Sequence, residues 1–357
     1  MSVLSVLVPG ARTLVQDLGF CGGRDRGVPR SGVLDRDGLM LLNGLLDNPA
    51  DTAALEVAIT SPRLKVEEGA VRIACGSGLS GYVVRAGQKN LLREWTAVTL
   101  APGDELWLDP PARGGTALLG IQGGLDVPRL FGSQSTLVAS SIGGLEGRNL
   151  RAGDRLQVAQ APDPSAPTLR LSVDLGPPDH IRVVPGPQAE WFTAAAFNAF
   201  FAAPWQVTTA LDRMGMRLSG PVLEHDPQRG ADIVSDGVVP GAIQVPAEGQ
   251  PIVLLADAQT TGGYPKIATI ISADLSRVAR SVPGETLRFK TVTVAKAEAA
   301  ARDHACMLRR ICRAAEVVSA SPTEALYNCN LISGSVDARH PDHFPGNLSS
   351  SKRGDSQ

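Results

Sequence analysis

Residues 256–266 carry Asp257, Gln259, Thr260, Thr261, Tyr264 and Lys266 around the pair Gly262-Gly263. A carboxylate, an amide, two hydroxyls, a phenol and an ammonium in so short a stretch can bind and polarise a small polar substrate. Apolar runs of strand length flank them, residues 251–255 and 267–271, so the stretch reads as a polar loop held between two strands. Loops on a rigid sheet are a common place for binding chemistry.

Further candidates lie elsewhere. Arg213 and Arg217 occur in Asp212-Arg213-Met214-Gly215-Met216-Arg217, where they could clamp a carboxylate or phosphate or pair with acids to fix a loop. Gln16, Asp17, Asp35, Asn43 and Glu56 stand among glycines and apolar residues. Taken singly, each is expected to satisfy buried backbone groups at turns; together they could line a polar pocket. Gly76-Ser77-Gly78-Leu79-Ser80-Gly81 matches G-x-G-x-x-G, but the strand-like Tyr82-Val83-Val84-Arg85 follows where a dinucleotide site needs a helix. A hairpin turn is the better reading. There is no P-loop, no H-E-x-x-H, no G-x-S-x-G and no Met-Lys-Met of a biotin attachment site. No metal site is expected.

The elements that position these residues follow from composition. Of the 357 residues 43% are hydrophobic, 20% charged and 4% aromatic, with 38 glycines and 26 prolines. Many turns between short strands are expected, in two β-rich domains with few helices. Helical signals fall at residues 37–46, 189–200 and 294–316. Residues 1–157 form the first domain, 158–169 a proline-rich linker and 170–294 the second. Residues 295–316 form a helix and 317–357 a tail too polar to order itself. His340 and His343 in the tail are read as solvated. Three segments repeat Gly-acid before a strand-like run, at Gly103-Asp104, Gly153-Asp154 and Gly284-Glu285. Glycine supplies a positive φ there and the acid can cap the turn.

Net charge is −2 with the signs interspersed, so no nucleic-acid partner is expected. Five cysteines without Cys-x-x-Cys spacing argue for free thiols. No run reaches the ~18 apolar residues of a membrane helix, and residues 2–8 lack a basic leader, so a cytoplasmic protein without membrane contact is expected.

Several motifs occur in order: Val15-Gln16-Asp17, Gly132-Ser133-Gln134-Ser135-Thr136, Gly143-Gly144-Leu145-Glu146-Gly147-Arg148, the Asp212–Leu218 segment, Gly241-Ala242-Ile243-Gln244-Val245-Pro246, and Gln259-Thr260-Thr261-Gly262-Gly263-Tyr264-Pro265. Together they resemble the biotin-dependent carboxyltransferase-like family, also called allophanate hydrolase subunit 2, from about residue 3 to 294. The resemblance implies a mainly β fold whose second domain is a cyclophilin-like β-barrel. It further implies partners like the B and A subunits of 5-oxoprolinase, and ATP, with Mg, opening 5-oxoproline to glutamate. Phosphorylation of a lactam oxygen makes it a good leaving group. On that reading Lys266, Tyr264 and Gln259 are the catalytic candidates. Arg213, Arg217, Gln244, Thr260, Thr261, Gly262 and Gly263 are candidates for binding substrate or phosphate. The same resemblance leaves open carboxyl transfer to urea or a similar amide, with biotin supplied by a partner, and a non-enzymatic role relieving an inhibitor of a histidine kinase. The chain departs from the family pattern at Phe20, Thr116, Leu118, Leu211 and Arg280.

Overall fold

Alternating apolar and polar residues, as in Arg63–Glu68 with burial on every second position, build half-buried strands, and the computed structural model arranges them in three larger sheets. It describes residues 2–112, 115–174 and 180–318. The first sheet runs in the order Arg155–Val158, Ser2–Val8, Arg63–Glu68, Glu105–Leu108, Gly81–Arg85, Gln88–Leu92. The second contains, in order, Arg12–Gln16, Ala54–Ala58, Thr116–Ile121, Val71–Gly76, Thr96–Leu100 and Leu169–Arg170. Leu4, Val6, Leu64 and Leu106 of the first meet Val15, Leu55, Ile73 and Leu119 of the second in one core, the arrangement of a β-sandwich.

The third sheet is ordered Thr286–Leu287, Trp205–Leu211, Gly215–Ser219, Ile252–Leu254, Ala242–Gln244, Lys266–Ile270, Ile181–Pro185, Phe289–Thr291. Its two outermost strands are neighbours in sequence, separated by Arg288 alone. The sheet therefore curls back on itself into a nearly closed barrel. Trp205, Phe200, Phe289, Met216, Ile243, Val253 and Ile267 fill it, with the Phe200 and Phe289 rings stacked at 4.8 Å between centroids. The protein is mainly β, as its turn-rich composition implies.

Among the described residues four α-helices complete the fold: α1 Arg36–Leu45, α2 Ala194–Ala202, α3 Leu275–Ala279 and α4 Val294–Arg313. Three begin at side chains that accept an otherwise unsatisfied N–H. Asp35 accepts from Gly38 N at 3.1 Å, Thr193 from Ala196 N at 3.1 Å and Thr293 from Lys296 N at 3.3 Å. Apolar residues of α4, Leu308, Met307 and Ile311, pack with Leu39 and Leu42 of α1 in a further core against the second sheet. The helical signal at 189–200 resolves into a single 3-10 turn, Ala189–Trp191, followed by α2.

The repeated Gly-acid turns share one geometry. Asp104 accepts from Ala101 N at 2.8 Å, Asp154 from Arg151 N at 2.7 Å and Glu285 from Val282 N at 3.2 Å. The glycine before each acid has φ between 88° and 91°. The G-x-G-x-x-G segment does join two strands, but not as a hairpin. Val71–Gly76 belongs to the second sheet and Gly81–Arg85 to the first, so the segment carries the chain across the sandwich.

The proline-rich segment is tied down: Arg72 donates to Pro167 O at 2.6 Å and to Ala166 O at 3.3 Å. Met1–Glu316 is one compact unit. Of the second unit, only Val317 and Val318 are described. The remainder of the tail, with His340 and His343, lies outside the described residues.

Candidate functional site

The 256–266 loop leaves the barrel after Ile252–Leu254 and returns as Lys266–Ile270. Both strands pair with Ala242–Gln244 between them. Pairing sets Gln244 opposite Lys266. Midway, Thr261–Gly262 forms a short antiparallel pair with Asp236–Gly237. Gly262 lets the Gln244 side chain come close: a Cβ there would lie 2.5 Å from Gln244 Nε2 and would push that amide aside. Gln244 Nε2 itself reaches Tyr264 O at 3.4 Å. The barrel thus gathers Gln244, Thr260–Gly263, Tyr264 and Lys266 at one place.

Lys266 is only 4% exposed. Its Nζ donates to Asp236 Oδ2 at 2.6 Å and to Gly237 O at 3.3 Å. The Asp236 side chain is 52% exposed. The bond from Lys266, then the Gly237 N–H, holds its pKa below the ordinary value, so it stays a carboxylate. Gln188 braces the pair, accepting from Lys266 N at 3.3 Å and donating to Asp236 Oδ2 at 3.4 Å. Gln259, Thr261 and Tyr264 are exposed on the same loop. The result is an open, fixed acceptor beside the loop's short strand pair. Asp236 and Gln188 carry no motif of their own in the sequence. The Asp-Gly pair at 236–237 marks a turn, and only strand pairing reveals what it faces.

Arg213 is placed differently from the expected phosphate clamp. It is buried, and it binds the Glu56 carboxylate through Nη1. Asp257 takes bonds from its Nε and Nη2 at 2.8 and 2.9 Å, and Gly32 O accepts from Nη2 at 2.6 Å. Burial works against its charge, but Glu56 and Asp257 outweigh it and raise the guanidinium pKa. This is the acid-paired alternative: the residue locks the base of the loop and has no face for an anion. Arg217 is exposed on the strand Gly215–Ser219, between buried Met216 and Leu218, so the two arginines do not converge.

The first-domain residues do not line one pocket. Asp17 accepts from Gly19 N, Ser135 Oγ and Gln134 N at 2.6–2.8 Å, and Gln16 Nε2 donates to Thr136 O at 2.8 Å; both organise residues 133–136. Asn43 Nδ2 donates to Ala50 O and Thr52 O at 3.2 and 2.9 Å. Asp35 caps α1 and accepts from Arg280 Nη1 at 2.7 Å, and Glu56 belongs to the Arg213 lock. Each serves its own stretch of buried backbone or charge, the expectation for these residues taken singly. Arg280, one of the departures from the family pattern, is thereby part of the packing between α3 and α1.

Among these candidates no two cations converge on a phosphate. Arg213 is fully engaged, Arg217 faces solvent, and Lys266 is held by Asp236. The described residues contain no group of three His, Cys, Asp or Glu able to hold a metal ion and no helix long and apolar enough to cross a membrane.

The carboxyltransferase domain, subdomain A and B, matches residues 26–291, and the chain belongs to that family. It is 36% identical over 301 residues to the 5-oxoprolinase C subunit of Escherichia coli K12, an alignment covering 84% of this chain and 95% of the relative. Identity to the corresponding 5-oxoprolinase C subunit of Haemophilus influenzae is 33% over 314 residues, covering 87% and 98%. Among solved structures, the K. lactis urea amidolyase superposes with a TM-score of 0.76 at 27% identity. The match covers 90% of this chain but only 20% of that enzyme, so the chain corresponds to one part of it.

Proposed function

We propose that this chain is the C-type component of a 5-oxoprolinase-type assembly, which opens 5-oxoproline to glutamate with ATP. The observation that carries this reading is the 36% identity to the E. coli protein over 95% of that protein's length. It acts with partners of the A and B types in a soluble complex. The open loop offers what a lactam requires. Asp236, kept ionised by Lys266, accepts the ring N–H. Gln259 and Tyr264 donate to oxygens of the substrate, and the Thr260–Gly263 backbone orients it. Phosphoryl transfer is assigned to the partners, because the candidate cations Arg213 and Lys266 are already held by carboxylates.

Co-expression with both partners tests the reading: the purified complex is expected to release glutamate from 5-oxoproline in the presence of ATP. An intact complex that neither releases glutamate nor turns over ATP overturns it. The fold shared with the K. lactis enzyme favours a second reading, transfer of a carboxyl group from a partner's biotin to a small amide. Carboxylation of urea by the chain together with a biotin-carrying partner would select it.

A further inference from the structure

A groove of about 520 Å³ lies between one face of α4 and two arginines, Arg182 from the barrel strand Ile181–Pro185 and Arg277 from α3. No residue of the 256–266 loop lines it. We propose that this groove binds a phosphate group, free or carried by a nucleotide, between Arg182, Arg277 and Lys296.

The helix side of the groove follows from local sequence. Lys296, Ala299, Ala300, Asp303 and Met307 line it, and residues three and four apart share one face of a helix. Ala299 and Ala300 carry a single side-chain carbon each, so the floor next to Lys296 is left open. The opposite wall comes from distant parts of the chain. Arg182 and Arg277 are brought together on one buried carboxylate, Asp274, which neither could find without the barrel.

Arg277 is the group that calls for a ligand. Its side chain is only 26% exposed, yet its guanidinium makes no hydrogen bond among the described residues. Its ion-pair partner Asp274 stands 3.9 Å away. That carboxylate already accepts from Arg182 N, Nε and Nη2 at 2.8, 3.0 and 2.6 Å. Arg182 keeps Nη1 without an acceptor among the described residues, and neither Lys296 nor Arg310 makes an ion pair among them. Partly buried donors of this kind are completed by an acceptor from outside the chain. The charge is in excess as well. Arg182, Arg277, Lys296 and Arg310 line the groove against one lining carboxylate, Asp303, and Asp274 offsets one charge more. Asp37, which His304 Nε2 meets at 2.9 Å, does not line it. The donors arrive from a strand and two helices. A tetrahedral phosphate can accept on three oxygens from different sides, whereas a carboxylate offers two in one plane.

The test uses the full chain without partners, so its outcome is separate from that of the hydrolase reading. Orthophosphate, ADP and adenosine are titrated calorimetrically at low salt in a buffer free of phosphate. Orthophosphate and ADP are expected to bind, and adenosine is not. Arg277→Gln is expected to weaken binding ~10-fold and Lys296→Gln ~3-fold, while Arg217→Gln, far along the barrel sheet, changes nothing. If Arg277→Gln fails to fold, Lys296→Gln, on the exposed side of the groove, decides alone. ADP binding more tightly than orthophosphate identifies a nucleotide as the carrier, and equal or weaker binding identifies the free anion. Binding of neither, an ADP affinity that adenosine matches, an unaltered affinity in Lys296→Gln, or equal weakening in Arg217→Gln each overturns the proposal.

Discussion

Two ion pairs hold the 256–266 loop, one at its base and one at its end, and their surroundings assign them different work. At the base, Arg213 joins Glu56 and Asp257 in the interior, with side chains 7%, 1% and 12% exposed. At the end, buried Lys266 meets Asp236, whose side chain is half in solvent. The first arrangement uses every charge on another protein group and presents nothing to a ligand. The second fixes one carboxylate while leaving it reachable. Charged residues within recognisable motifs are thus not equivalent: burial with complete pairing makes a lock, and partial exposure leaves chemistry available.

The most severe test of this contrast is Arg213→Ala. Two buried carboxylates lose their counter-charge, and the expected cost is about 3–5 kcal/mol of folding stability, measured by urea denaturation. A loss below about 1 kcal/mol would mean that the junction is not a lock. Lys266→Ala should divide differently between stability and activity. We expect turnover of the assembled complex to fall about 100-fold, while stability changes by no more than about 1 kcal/mol because its partner is solvated. Unchanged kcat and KM would remove Lys266 from the site.

Smaller effects sharpen the same comparison. Arg217→Gln, on the solvent face of its strand, should alter stability by less than about 0.5 kcal/mol; a cost like that of Arg213 would show that the two arginines do act together. The smallest expected signal is the titration of Asp236. Its folded pKa lies below the ordinary 3.8. The Lys266–Asp236 contact is therefore present above the unfolded value and is lost as pH falls through the lower folded one. Carboxyl NMR should place the Asp236 midpoint below 3.8, and a midpoint above it would dissolve the pair.

Much of the local architecture is legible from neighbouring residues. The Gly-acid turns, the caps Asp35, Thr193 and Thr293, and the amphipathic α4 each depend on interactions within a few positions. The polar loop between two strands is legible for the same reason. The pairings that fix the two ends of the loop are not local. Arg213 finds Glu56 at a separation of 157 residues and Asp257 at 44, and Lys266 finds Asp236 at 30. A sequence pattern identifies the arginine but not which carboxylates reach it, so a phosphate clamp and a structural lock read alike.

The sequence by itself determined a mainly β chain, the position of its polar loop and its place in the carboxyltransferase family, because periodicity, turn chemistry and ordered motifs are properties of short stretches. Tertiary structure alone decided that Arg213 is sealed while Asp236 is open. It also decided that the third sheet curls into a nearly closed barrel, its outermost strands separated by Arg288 alone. Those outcomes depend on which distant strands pair and on what water can still reach, and no short stretch of sequence carries either.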